Sequence, residues 1–505
     1  MKHTISLLAV ILMITASAAF ADYTSPGTGK VWNLDSLVAN SAGAVTFSGG
    51  AYNFTTNILI ANSDTLKILN NATVKFGPTF LFTVFGTLII DPPDSVKFTA
   101  ADSTAKYMGI RLDSLSDASV MRNLIFEYGN SIYFFNSNAL LDSSIIRYNT
   151  YTGSGYRSGA IYMYASNPTI SNCTIFGSHR SAIGSGSNIA SSPTIINNLI
   201  YGNDVSNGNY AQISMGATGP QPMIIRNNQI LRASTNSGAI AFLPIGGVPS
   251  LIIENNIIKN NRYGIGLLAG GINAYINNNI IDSCNTQGNP ALGGSGLNFA
   301  GNWSTSSVIV TRNTVRWCLW GVTIQNTAKP NLGDLTSSDT TDQGLNTIYG
   351  NGNTGKIYDL FNNTPDTIKA ENNYWGTNNP DSVEAHIFHK TDSTTLGFVD
   401  YMPIRIITGV VSNPPVKVDT YEFMNIYPNP FNPEVLIKFR IKTDGFTRIR
   451  VYDLLGREVY VIANEFLRAG EYERNWLSKG LPSSIYIVRL ETQNNNIAKR
   501  VAIVK

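Results

Sequence analysis

Between Val120 and Trp375 the chain keeps returning to one phrase: an apolar residue, a spacer, two polar residues that are usually Asn, a spacer, and an apolar residue. The clearest copies are Ile195–Ile200 (IINNLI), Ile225–Ile230 (IRNNQI), Ile253–Ile258 (IENNII) and Ile276–Ile281 (INNNII). Weaker copies end at Ile125, Ile145, Ile175 and Val315, and the last is Ala370–Trp375 (AENNYW). Successive end residues lie 20 to 34 positions apart, with one gap of 60, which is the period of a solenoid with insertions of variable length. The repeats are rich in Gly, Asn, Ser and Thr, and β-branched residues fill the apolar positions, so each copy reads as one turn of a β-coil.

A second apolar strand follows in most copies: Gly159 to Tyr162, Gly238 to Phe242, Gly264 to Leu268, Gly296 to Phe299 and Gly321 to Ile324. Turn dipeptides ending in Pro then lead to the next copy, at Asn167-Pro168, Ser192-Pro193, Gln221-Pro222 and Lys329-Pro330. Stacked coils place equivalent residues about 4.8 Å apart. At that spacing the side-chain amides of Asn123, Asn198, Asn228, Asn256, Asn279, Asn313 and Asn373 are expected to bond up and down a ladder, interrupted at Ser143 and Cys173. Two of the three cysteines, Cys284 and Cys318, each stand three residues beyond a repeat residue. They are expected to stack as neighbours, as two thiols or as a disulfide.

These repeats resemble the right-handed parallel β-helix family with the pectate-lyase-like fold. Val74 to Leu112 is similar to the opening coils of extracellular members, and Asn372–Gly376 (NNYWG) with the GFVDYMP ending at Pro403 resembles their last coil. The resemblance implies an all-β fold, but it leaves activity open, because one fold hosts many functions. The C-terminal stretch has a different wording. Val435–Ile441, Thr447–Val451 and Ile485–Leu490 alternate apolar and polar residues, as half-buried antiparallel strands do. Ile426–Pro433 (IYPNPFNP), Val451–Val459 (VYDLLGREV) and the end of the chain resemble the type A sorting domain of the type IX secretion system, an immunoglobulin-like β-sandwich. That resemblance implies passage through the outer membrane, with the secretion machinery as partner of residues 425–505, and a secreted or surface-attached product.

Lys2, the apolar run Ile5–Ile14 and Ala19-Phe20-Ala21 form a secretory signal. The expected organisation is therefore a signal peptide over 1–21, a right-handed parallel β-helix over 22–402, a linker over 403–424 and a small β-sandwich over 425–505. After signal removal no membrane-spanning segment is expected. A formal net charge of +3, with Lys and Arg scattered, excludes the footprint of a nucleic-acid binder.

Chemistry is harder to find. A polysaccharide lyase of this fold needs clustered carboxylates with a basic residue, and a hydrolase needs paired carboxylates. Asn-Thr-Asp, Asp-Asp and His-Gly do not occur. Counting four residues past the repeat residue gives a column of Asn149, His179 and Asp204 with Arg180 beside it, the one candidate catalytic cluster. His386 and His389 have metal-like spacing, and Asp334, Asp339 and Asp342 form a candidate Ca²⁺ loop, but neither is a full ligand set and no cofactor is expected. Aromatic side chains are the better lead, because sugar rings dock apolar faces on flat side chains. Phe126, Phe176 and Tyr201 follow repeat residues, and Tyr148, Tyr151, Tyr156, Tyr162 and Tyr164 lie nearby. Tyr148, Tyr151, Tyr156 and Tyr201 are the expected ligand-binding residues. The function expected is non-catalytic glycan or surface binding, with a lyase or glycoside hydrolase as the alternative.

Overall fold

A computed structural model describes residues 23–150, 159–246, 249–303, 306–407, 423–441, 445–467, 470–478, 480–492 and 496–504. The signal segment lies outside them. The chain divides after Ile407 into two compact units. The first is a stack of coils whose strands form three long sheets of 11, 13 and 14 strands. In each coil a strand of the first sheet, such as Thr194–Ile196, turns through two residues into a strand of the second, Leu199–Tyr201. A loop then leads to a strand of the third, Ile213–Met215. The pairing between coils is parallel, as in Ile175 with Ile200 and Ile200 with Ile230.

The two-residue corner explains the doubled Asn, and the two residues are there for different reasons. The first adopts the left-handed conformation, with φ of 58° at Asn197, 57° at Asn227 and 58° at Asn255. Asn tolerates that region better than most L residues. The second points inward. Asn198, Asn228, Asn256, Asn279, Asn313 and Asn346 each donate Nδ2 to the Oδ1 of the Asn in the next coil, at 2.9 to 3.0 Å, ending on Asn373. The same Oδ1 atoms accept the backbone N–H of the coil before, as in Asn198 N to Asn228 Oδ1 at 3.0 Å.

Three sequence expectations need correcting. Asn123 lies in the left-handed column, at φ 53°, and Leu124 holds the ladder position. Ser144, not Ser143, is its neighbour there, accepting the Leu124 N–H. The repeat residues of these coils are accordingly Phe126 and Ile146, which pair with each other. The alternation is masked because Ile125 and Ile145, which face outward, are also aliphatic. Finally, the gap of 60 contains a further coil at Thr347–Tyr349, whose ladder residue is Asn346. Its corner reads Leu345-Asn346, and Leu345 takes the left-handed φ of 65°, so the doubled Asn is missing.

The interior is a column of Ile146, Ile175, Ile200, Ile230, Ile258 and Ile281, all fully buried. In the opening coils aromatic rings replace the aliphatic residues, and Phe76 stacks on Tyr107 with centroids 4.5 Å apart. Phe126 is part of that core, packed edge-on against Tyr107 at 5.6 Å, and is not a surface residue. The helix Leu34–Asn40, capped by Asn33 and Ser36, buries Leu34 and Leu37 in the first coils.

The second unit has two antiparallel sheets, of three and four strands. Glu434–Ile441 points Val435, Ile437, Phe439 and Ile441 into a core shared with Val451, Trp476 and Val488. This is the small β-sandwich expected, with Ser484 opening the strand Ser484–Glu491.

Candidate functional site

The outer face of the second sheet carries a continuous series of aromatic rings. Its outward column runs through Glu127, Arg147, Phe176, Tyr201, Leu231, Lys259, Asp282 and Arg316 in successive coils. The next residue of each strand end takes the left-handed conformation: Tyr128, Tyr148, Gly177, Gly202, Arg232 and Asn260. Four rings follow one another along the axis. Tyr128 stacks on Tyr148 at 5.6 Å, Tyr148 meets Phe176 edge-on at 5.5 Å, and Phe176 stacks on Tyr201 at 5.0 Å and 7°.

The two glycines turn this series into a trough. Gly177 has φ 67°, and a Cβ there would stand 3.0 Å from the Tyr148 ring. A Cβ at Gly202, φ 60°, would meet nothing within 4 Å. Tyr148 at one end is 41% exposed, and Arg232 at the other is exposed. Three coil steps separate them, about 14 Å.

Charges flank the rings. Arg147 donates Nε and Nη2 to Glu127 Oε2 at 2.9 and 2.7 Å, and Lys97 Nζ lies 3.3 Å from the other carboxylate oxygen. Burial alone would raise the Glu127 carboxyl; the bonds and charges of Arg147 and Lys97 outweigh it and hold the group below its ordinary value. Arg147 also lies over the Tyr148 ring and Lys106 over Tyr128, at 5.4 and 4.8 Å. Further along, Asp282 is gripped by Arg316 at 2.8 Å and by Lys259 at 3.5 Å.

The candidate catalytic column does not assemble. Asn149 is one place out of register, in an inward column where its Nδ2 donates to Gly129 O at 3.2 Å. His179 and Asp204 occupy equivalent places in neighbouring coils. The Asp204 carboxylate is fully buried and accepts from Ser206 Oγ, Gly208 N and Tyr210 N, so it closes the loop 204–210. Arg180 stacks over Tyr210, 4.7 Å from its centroid.

Residues 90–304 match the family model of the right handed beta helix region. Residues 425–504 match the secretion system C-terminal sorting domain. The chain is a parallel β-helix protein with a sorting domain for export. Its destination is the medium or the cell surface. No curated protein matches the sequence. Among solved structures, a point mutant of the periplasmic alginate epimerase AlgG is similar at 12% identity and a TM-score of 0.42, covering 75% of this chain and 84% of that one. A tailspike protein of Acinetobacter baumannii bacteriophage Fri1, a capsular polysaccharide depolymerase, is similar at 9% identity and a TM-score of 0.22, covering 86% of this chain and 74% of that one. Likenesses this distant carry no argument about what this β-helix protein does.

The remaining candidates have structural partners in this β-helix protein. His389 is buried, its Nε2 3.0 Å from Glu384 and its Nδ1 accepting the Val399 N–H. His386 Nδ1 lies 3.2 Å from Asp359 Oδ2, off the axis of a hydrogen bond. Asp334 and Asp339 each accept from a Thr two residues on, and Asp342 accepts from Asn331, so the three cap their own loop. Among the described residues no group of three His, Cys, Asp or Glu is placed to hold a metal. Cys284 and Cys318 are buried free thiols in paired coils, and burial together with the Cys284 thiol pushes the Cys318 thiol well up. Tyr151 and Tyr156 lie outside the described residues.

Sequence reasoning missed two features. One is Tyr128, whose signal is its place two residues past Phe126, matching Tyr148 two past Ile146. The other is a second inward polar column, three residues past each repeat residue. Along it Ser178 N donates to Asn203 Oδ1, and where the next coil has Ala233, Gln212 just before the third-sheet strand bridges the gap, its Oε1 accepting Asn203 Nδ2 and its Nε2 donating to Asn261 Oδ1.

Proposed function

We propose that this exported β-helix protein binds a glycan without cleaving it, and that the binding platform is the trough of Tyr128, Tyr148, Phe176 and Tyr201. The observation carrying this reading is the unbroken series of four part-exposed rings along the outer face of the second sheet. Flat apolar rings match the apolar faces of pyranoses, and the coil repeat lets successive sugars meet successive rings. The rings are held by the corners of the coils, so little ordering cost falls on binding. Tyr151 and Tyr156 follow Tyr148 in sequence and stay in the proposed set on that ground alone. The absence of catalysis is supported by the commitment of the nearby carboxylates, with Glu127 locked between two cations and Asp204 capping its loop.

The test is a glycan array probed with the mature chain, repeated with Tyr148→Asn and Tyr201→Ala in one protein. Asn keeps the left-handed backbone at 148. The reading expects binding, independent of Ca²⁺, to fall at least tenfold in the double variant while the urea midpoint hardly moves. Release of unsaturated or new reducing ends from a bound polymer would overturn it in favour of an enzyme.

A further inference from the structure

The trough has a charged end that the stacked rings do not explain. Arg232 is exposed, follows Gly202 in the left-handed column, and takes part in no ion pair among the described residues. Its backbone is fixed from both sides: Arg232 O accepts the Gly202 N–H, and Arg232 N donates to Lys259 O at 2.9 Å. The Arg232 backbone is therefore held in the sheet stack, one coil beyond the open floor at Gly202. Four other cations of this face are committed to carboxylates. Arg147 and Lys97 share Glu127, and Lys259 and Arg316 share Asp282. The opposite end, at Tyr128 and Tyr148, also lies under cations, Lys106 and Arg147.

We propose that the ligand of this trough is an anionic glycan, a polymer bearing carboxylate or sulfate groups, and that Arg232 is the residue that reads its charge. This rests on the glycan reading of the trough. A sugar stacked on Tyr201 lies one coil step, about 4.8 Å, from the coil that carries Arg232, within reach of a guanidinium that offers two parallel N–H groups to a planar acid. Arg suits that role better than Lys because its fork matches a carboxylate or sulfate in two bonds. Steering by charge on an exposed site weakens as salt rises.

Affinity electrophoresis of the mature chain in gels containing polygalacturonate, hyaluronan or dextran sulfate tests this, each polymer paired with its carboxyl-reduced or unsulfated counterpart. Wild type is expected to be retarded by at least one acidic polymer, at least tenfold less by its neutral counterpart, and progressively less as salt is raised. Arg232→Glu should abolish the retardation, and Arg232→Asn, which keeps the left-handed backbone, should reduce it at least tenfold. Gly202→Asn should also reduce it by filling the floor. Circular dichroism and the urea midpoint check that each variant is folded. Equal retardation by acidic and neutral members, or none of the loss in a folded Arg232→Asn, would overturn the charge assignment while leaving glycan binding intact. No retardation by any polymer, acidic or neutral, would remove the glycan reading itself and this inference with it.

Discussion

Replacing Asn228 by Ala should cost the β-helix several times what replacing Asn227 does, although the two are neighbours of the same type. The Asn228 side chain is fully buried. Its Nδ2 donates to Ile195 O at 2.9 Å, Arg226 O at 3.0 Å and Asn256 Oδ1 at 3.0 Å, and its Oδ1 accepts Asn198 N at 3.0 Å and Asn198 Nδ2 at 2.9 Å. In Asn228→Ala the Asn198 side chain keeps Ile170 O and the Asn256 Oδ1 keeps the Asn228 N–H, but the Asn198 backbone N–H loses its acceptor. An orphaned buried donor costs about 1–3 kcal/mol, and each hydrogen bond lost a further ~1 kcal/mol. One orphaned donor with four further lost bonds comes to about 5–7 kcal/mol. Asn227 is exposed and contributes its left-handed backbone, so Asn227→Ala should cost about 1 kcal/mol and Asn227→Gly close to nothing. Urea denaturation of the mature chain measures both, with hydrogen exchange locating the effect, because a solenoid can lose coils separately. Exchange protection should drop across residues 195–258 in Asn228→Ala. Equal losses in Asn228→Ala and Asn227→Ala would refute the two-role account of the corner.

The other predictions concern the ends of the stack and the second unit. Asp359 accepts Asn351 N and Nδ2 on Oδ1, and burial pushes its carboxyl up by more than Asn351 and His386 pull it down. The folded protein thus holds this proton more tightly than the unfolded chain. Its contribution is full below the ordinary Asp range and is lost as pH rises through the raised value, so Asp359→Asn should flatten that decline in stability, read as urea midpoint against pH. Burial should keep Cys173, Cys284 and Cys318 from reacting with a thiol reagent in the native protein, and all three should react once it is unfolded under non-reducing conditions; a single reactive thiol would mean that two had paired. Deleting residues 425–505 should leave the β-helix folded but retained in the periplasm, checked by fractionation and circular dichroism; arrival in the medium would break the sorting assignment.

How much of this was legible in the sequence depended on whether one residue type had one job. The coil, the repeat phrase with one further strand, and the sandwich strands could be read, because Ile200, Ile230, Ile258 and Ile281 alternate cleanly with polar neighbours; that the phrase itself is two strands bent at the doubled Asn could not. Where outward positions are aliphatic, as at Ile125 and Ile145, the alternation vanished and the register slipped by one. That slip placed Phe126 on the surface, hid Tyr128, and put Asn149 beside His179. Where the corner lacked its first Asn, at Leu345, a whole coil went unseen. The trough was half visible. Tyr148 and Tyr201 stand out by composition, but the rings become one surface only because Gly177 makes room for the Tyr148 ring and Gly202 leaves the left-handed column bare before Arg232. That depends on backbone conformation in four successive coils, which no local pattern encodes.

Oxidative footprinting of the mature chain by mass spectrometry, with and without a bound polysaccharide, tests the central claim most directly. The account predicts protection of Tyr128, Tyr148, Phe176 and Tyr201 on the second sheet, while Phe361 and Phe388, outward on the third sheet, keep their labelling. Protection confined to the third sheet, with Tyr148 and Tyr201 labelled as in the free protein, would contradict it.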